Sequence, residues 1–405
     1  MTMPASVYKL LYAAPRRSSR QAHGSQAGFT LIEILAALII AVLVITPLLG
    51  VTIDLLNTNR REDAKTTTDE EIQAAMDFIS RDLQQAAYIY DAEGMSILTG
   101  NNSATICTAA DAANQVYPPT RTCSQIPIAA GQVPVLAFWK RTLRRNVLPI
   151  AATGTGSNCP ANPDECDDSF VYSLVVYYLM RDASATWSSA ARVGRWELSG
   201  GVLDKYQVNA NPGNETYVQS FEPDAGFAPF DLSASGSLAQ KLNRWQKDMA
   251  TPYPTGTGPD VLIDYVDFAT NQDIPNFFQA TGGSTNVEAC PTQATANQGD
   301  GDPEWLQVPA YQALSGSTAN DVTVGVNITA VPPEFQTYSF YACVNTARNT
   351  ARVFLRGNAF QRVQELNLAD AGDRTLYERL FTTQTTFFPE GRIEVQGTGA
   401  LSQAQ

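Results

Sequence analysis

Residues 29–53 form a run of 25 residues that carries a single charge, Glu33. No other feature constrains the chain as strongly, because so long an apolar segment must be kept out of water. As a helix rising ~1.5 Å per residue it spans roughly 37 Å, which exceeds a bilayer core of about 30 Å. A buried core helix is the alternative, but core helices are ordinarily shorter and apolar on one face only. The length favours a membrane span. Pro47 lies inside the run, preceded by Thr46 and followed by Gly50. Proline removes a backbone hydrogen bond and crowds the preceding turn, so a kink or a locally melted turn is expected there. A membrane helix tolerates this where a neighbouring Thr hydroxyl satisfies the freed carbonyl.

The flanks of the run say how it is used. Residues 1–28 contain Lys9, Arg16, Arg17 and Arg20, no acid, and the chain's one histidine, His23. The whole chain carries a formal charge of −13, so the remainder without this segment stands at −17. An ordinary secretory signal is cut at small residues after its apolar core. Here the core runs into Asp54, Leu55 and Leu56, with no A-x-A pattern. The natural cut lies before the core, after Gly28, and leaves the helix attached with Phe29 as its new N-terminus. Basic residues near the run are almost balanced, with Arg60, Arg61 and Lys65 on the far side, so the positive-inside count alone does not orient it.

Beyond Asp54, Ile72, Met76, Ile79, Leu83, Ala86 or Ala87, and Tyr90 recur at steps of three and four. That spacing predicts one apolar stripe on an amphipathic helix. Glu62, Asp63, Asp69, Glu70, Asp77, Arg81 and Asp82 are assigned to its other faces. The expectation is a continuous helix from Phe29 to about Tyr90, which packs lengthwise on a globular domain through its second half. The expected divisions are a basic leader (1–28), a transmembrane and assembly helix (29–53), an amphipathic helix (54–91) and a β-rich globular domain (92–405).

Residues 28–33, Gly28-Phe29-Thr30-Leu31-Ile32-Glu33, follow a basic leader and open a long apolar helix. This combination resembles the N-terminal motif of type IV pilins and pseudopilins. The resemblance implies cleavage after Gly28 by a prepilin peptidase, N-methylation of Phe29, and assembly into a filament through the N-terminal helices. It also implies insertion in the inner membrane through one span, an assembly platform there, and a large domain outside the cytoplasm, in a pilus or periplasmic filament at the cell surface. Residues 74–86, AAMDFISRDLQQA, are similar to the post-anchor region of PilW-type minor pilins and of J-class minor pseudopilins of type II secretion. Residues 351–359, ARVFLRGNA, resemble a closing strand of that group. Residues 45–50, 82–86 and 88–91 look closest to cyanobacterial pseudopilins of hormogonium polysaccharide secretion. Glu33 has a physical role available to it, since a carboxylate at bilayer depth is costly unless partnered. The positive amine that cleavage creates on an adjacent subunit is the natural partner, and the helix dipole also favours an anion in the first turns. The alternative is a glutamate that snorkels out to the headgroups.

After residue 92 helix patterns become scarce. Residues 133–139, 170–179, 195–198, 322–328 and 351–355 read as strands, rich in β-branched and aromatic residues and bounded by turn formers. Residues 238–249 read as a short helix, and the basic run 140–145 as a solvated strand or loop. The fold expected is α+β: a long helix packed on an antiparallel sheet with long loops. Cys107, Cys123, Cys159, Cys166, Cys290 and Cys343 are even in number and lie beyond the membrane helix, which reads as disulfides in an oxidising compartment. Connectivity stays open, and the nearest-neighbour set is 107–123, 159–166 and 290–343. A zinc site is the rival, but the chain beyond residue 28 lacks histidine and CxxC spacing.

The lack of histidine after residue 28 also excludes Ser-His-Asp and Cys-His catalysis in the domain. The acid excess argues against nucleic acid as a partner. No cofactor is expected. Asp300, Asp302 and Glu304 alternate like calcium ligands, yet the spacing is partial and lacks the EF-hand pattern, so the stretch reads first as an acidic surface turn of Asn, Asp, Gly and Pro. Three functions follow: a filament subunit serving motility, adhesion or export of polysaccharide or protein; a pilin-anchored, adhesin-like binding module; and a membrane-tethered hydrolase using carboxylates. A non-enzymatic subunit fits the motifs best.

Overall fold

The structure is a computed structural model. It describes residues 29–101, 103, 105–108, 123–150, 159, 166–204, 217–233, 235–254, 256–270, 290, 305–311, 314–317, 326–328, 330–337, 339–346 and 349–364. The chain divides into two compact units, Met1–Asn59 and Arg60–Gln405. One helix, α1 (Leu31–Leu83), supplies the described secondary structure of the first unit and enters the second.

In the first unit every described residue is exposed. The helix there is long and apolar enough to cross a membrane, and none of that stretch is buried. Thr46 and Thr52 donate their hydroxyls to the carbonyls four residues back, Val42 at 2.7 Å and Leu48 at 2.8 Å. Each polar side chain is thereby satisfied inside the helix, as a lipid environment demands. The chain stays helical through Pro47.

In the second unit α1 buries Ala64, Thr68, Ile72, Ala75, Ile79, Asp82 and Leu83, at steps of four, four, three, four, three and one. The stripe expected from sequence is there, with two corrections. Asp82 belongs to the buried face rather than to a solvated one. The helix also ends at Leu83, not near Tyr90, because Ala86–Ile89 form strand β1. Tyr88 and Tyr90 show why: their rings meet edge to face at 5.1 Å, as residues two apart on one face of an extended chain do. A helix would turn them apart.

β1, β2 (Gln132–Pro149), β3 (Cys166–Met180), β4 (Ala191–Ser199) and β5 (Asp260–Val266) form one antiparallel meander in that order. The basic run 140–145 is part of β2, its first residue tied into an ion network. β6 (Leu306–Val308), β9 (Phe340–Asn345) and β10 (Thr350–Leu355) make a second antiparallel sheet in the order β10-β9-β6. β7 (Leu314–Ser317) and β8 (Val326–Ile328) pair separately. Of the strand expected at 322–328, only Val326–Ile328 is described as strand; 322–325 lie outside the described residues.

The two faces of the larger sheet are covered differently. Phe138 and Lys140 face α1, whereas Trp139 faces the opposite layer, following strand alternation. There the Trp139 ring meets Trp245 at 5.3 Å and Phe230 at 5.2 Å. Trp139 donates its indole N–H to Tyr90 Oη at 3.0 Å, and Tyr90 donates to the Leu242 carbonyl at 3.1 Å. The helix expected over 238–249 is shorter, α3 (Leu238–Asn243), opened by a Ser237–Gln240 capping box. Two residues beyond its end, Trp245 packs in the Trp139 cluster. α2 (Ala92–Thr99), capped by Asp91 and closed by Gly100 in the left-handed region at φ 57°, is wholly buried. A last short helix, α4 (Phe360–Val363), follows β10. The fold is α+β, a long helix on an antiparallel sheet.

Disulfides join Cys107 to Cys123, Cys159 to Cys166 and Cys290 to Cys343, with Cα separations of 4.9, 5.9 and 5.5 Å. These are the nearest-neighbour pairs.

Candidate functional site

The start of α1 is built by Thr30. Its carbonyl accepts from Glu33 N at 3.0 Å and Ile34 N at 3.2 Å, and its Oγ1 also accepts from Glu33 N at 3.4 Å. Thr30 therefore caps the helix, and Glu33 stands three residues on, the T-x-x-E arrangement of a capping box. Phe29, 77 % exposed, precedes the cap. Among the described residues no cation or hydrogen-bond donor meets the Glu33 carboxylate. The first turn thus presents a free carboxylate and an exposed aromatic at the head of an uncovered apolar helix. Gly28, the expected cleavage residue, lies outside the described residues, as do Asp300, Asp302 and Glu304. Among the described residues no group of three or more acids, cysteines or histidines is placed to hold a metal ion.

The other end of α1 is held at two places that the sequence reading missed. At the first, Asp82 accepts from Tyr177 Oη at 2.7 Å and Arg195 Nε at 2.7 Å, with Lys140 Nζ at 3.4 Å. Glu197 closes the cluster, 2.5 Å from Arg195 and 3.1 Å from Lys140. Burial pushes the Asp82 carboxyl up, but the hydrogen bonds from Arg195 and Tyr177 and the charges of Arg195 and Lys140 outweigh it. Asp82 is held below the ordinary carboxylate range, and Glu197 is lowered for the same kind of reason. The spacing 72, 75, 79, 82 would have revealed Asp82, had its charge not excluded it from an apolar count.

At the second place the chain after β10 closes over the helix. Arg362 donates to Thr68 Oγ1 at 2.9 Å and forms an ion pair with Glu71. Gly357 lies so close that a Cβ there would stand 2.5 Å from both Ile72 Cδ1 and Thr68 Cγ2. The neighbouring Arg356 pairs with buried Asp267 at 2.7 Å, which ties the clasp to the end of β5. Residues 351–359, singled out as a closing strand, hold this position.

A family model described as "Prokaryotic N-terminal methylation motif" matches residues 24–49. The chain carries a prepilin-type N-terminus. The match takes in Phe29, Glu33 and Pro47, which ties the capped first turn to a type IV pilin-like protein. A motif of this kind fits processing by a prepilin peptidase, membrane anchoring through the apolar helix with the rest of the chain outside, and a structural family rather than an enzymatic one. It ends at residue 49, short of residues 74–86 and 351–359, so it does not reach the PilW-type or J-class resemblance. No curated protein and no solved structure matches the chain.

Proposed function

We propose that this chain is a minor pilin or pseudopilin, a non-enzymatic subunit of a type IV pilus-like filament or secretion apparatus. The observation that carries the reading is the make-up of α1. An uncovered apolar stretch stands directly behind the methylation motif, and the same helix continues as a stripe seated on an antiparallel sheet. Cleavage after Gly28 frees the Phe29 amine, its methylation follows, and the Glu33 carboxylate pairs with that amine on an adjacent subunit. The subunit needs no cofactor in this reading, and the filament serves polysaccharide export or motility at the cell surface.

N-terminal mass spectrometry of the native protein tests the processing step, with a chain beginning at methylated Phe29 as the expected result. An intact Met1 terminus removes the pilin reading. Glu33→Ala should lower filament incorporation by tenfold or more while membrane insertion continues. A methylated chain that inserts but enters no filament would favour the pilin-anchored, adhesin-like module instead.

A further inference from the structure

Beyond the main sheet, β2 and β3 continue alone as a two-stranded ribbon. β1 accompanies β2 only to Lys140, and β4 accompanies β3 only to Ser173. Pairing between β2 and β3 continues from Arg141–Tyr172 to Pro149–Cys166. One face of the ribbon is closed by a small cluster of Val147, Val171, Val202 and Val218. On the opposite face Phe230 meets Tyr172 edge to face at 5.3 Å near the root of the ribbon, and Leu143, Arg145, Asp168 and Phe170 beyond that pair are exposed. Leu143 and Phe170, directly opposed across the strands, are 43 % and 45 % exposed, and Ile150 at the strand end is 46 % exposed. The Arg141 guanidinium lies 3.4 Å from the centroid of the Phe170 ring, and Arg145, two residues beyond Leu143 on β2, is exposed. Asp168 on the same ribbon is engaged by the Asn146 N–H at 3.0 Å.

The exposed Leu143 and Phe170 stand with the cations Arg141 and Arg145, a combination that an acidic surface with aliphatic stems would complement. The chain carries that complement. Asp63, Glu70 and Asp77 are exposed at seven-residue steps along α1. Seven residues are nearly two full turns, so the three carboxylates share one face, about 10.5 Å apart. That face lies opposite the seated stripe of Thr68, Ile72, Ala75 and Ile79. Among the described residues no ion pair joins the ribbon arginines to these acids within one chain. We infer that the open ribbon face of one subunit docks on the Asp63–Glu70–Asp77 stripe of a second copy of this chain. The inference rests on the filament reading and adds to it that two copies of this chain stand side by side. Attraction between the arginines and the carboxylates sets the register, and Leu143 and Phe170 cover the aliphatic stems between them.

Two full-length chains, one carrying Arg145→Cys and the other Glu70→Cys, are co-expressed with different tags and recovered from native filaments. The expected result is a disulfide-linked heterodimer that needs both cysteines. Co-assembly of the two chains without that dimer overturns the inference. Charge reversal provides the second test. Arg141→Glu with Arg145→Glu should lower incorporation about tenfold, and adding Glu70→Lys with Asp77→Lys to the same chain should restore it. Unchanged incorporation, or a loss that the second pair of substitutions does not restore, overturns the second-copy assignment. Processing at Phe29 and dependence on Glu33 are read separately, so a failed ribbon contact leaves the filament reading distinguishable.

Discussion

Asp82→Ala is expected to destabilise the globular unit by about 2–4 kcal/mol. The carboxylate accepts two bonds of 2.7 Å, from Arg195 and Tyr177, and a longer contact of 3.4 Å from Lys140. Hydrogen bonds to a charged group contribute ~1.5–3 kcal/mol each, and breaking a buried pair costs about 3–5 kcal/mol. Glu197 remains beside both cations, at 2.5 Å and 3.1 Å, so neither is left unpaired and the loss falls short of a sum over bonds. The pH dependence has a definite sign. Because the folded-state pKa of Asp82 is depressed, its contribution is fully present above the unfolded value of about 4 and is lost as pH falls through the folded value. Urea unfolding of the full chain in detergent, followed by fluorescence of the buried Trp139, Trp196 and Trp245, measures the difference directly. The gap between parent and variant should be largest near neutral pH and should narrow below about pH 4. A variant within about 0.5 kcal/mol of the parent at neutral pH, or a gap undiminished at about pH 3, would refute the anchoring role.

Gly357→Ala should cost about 1–3 kcal/mol by overpacking the helix seat, and Ile72→Val in the same chain should recover part of it by removing Cδ1; thermal unfolding of the single and double variants checks this. Glu93 is 2 % exposed with one carboxylate oxygen unpartnered, and burial followed by the charge of Asp91 pushes it up to about 7. A raised carboxyl stabilises the folded chain at low pH and loses that contribution as pH rises through about 7, so Glu93→Gln should flatten the melting temperature between about pH 5 and pH 8. Replacing Cys290 and Cys343 by serine opens a link across 53 residues and should destabilise by about 4 kcal/mol, against about 3 kcal/mol for Cys107 and Cys123 across 16 residues; denaturant titration under oxidising conditions compares them.

The helix start was legible because its signals are local. One apolar run, one acid and a basic leader define it within about thirty residues, and the capping threonine stands among them. The strands at 133–139, 170–179, 195–198 and 351–355 were legible because β-branched and aromatic residues crowd there. The end of α1 was not, since Leu83, Ala86 and Tyr90 keep helical spacing by coincidence while β2 offers residues 86–89 a ladder of hydrogen bonds. α2 escaped because Asp91, Glu93 and Gly94 have turn character in sequence, although in the fold Asp91 caps the helix and Glu93 and Gly94 lie in its buried first turn. The seat of α1 was hidden for a further reason. Its members, Asp82, Lys140, Arg195, Gly357 and Arg362, are scattered over most of the chain, and each taken alone looks like a surface residue or a turn.

The clasp over α1 also orders events during synthesis. Arg362 and Thr68 are 294 residues apart, so the helix leaves the biosynthetic machinery long before the residues that lock it arrive. Contacts at such separation close late in folding, because the intervening loop must be ordered first. Until then Thr68 and Ile72 lack the Gly357 and Arg362 contacts, whereas the Asp82 end of the seat can form as soon as β4 is made. Arrival of Phe360–Val363 therefore completes the described seat of α1.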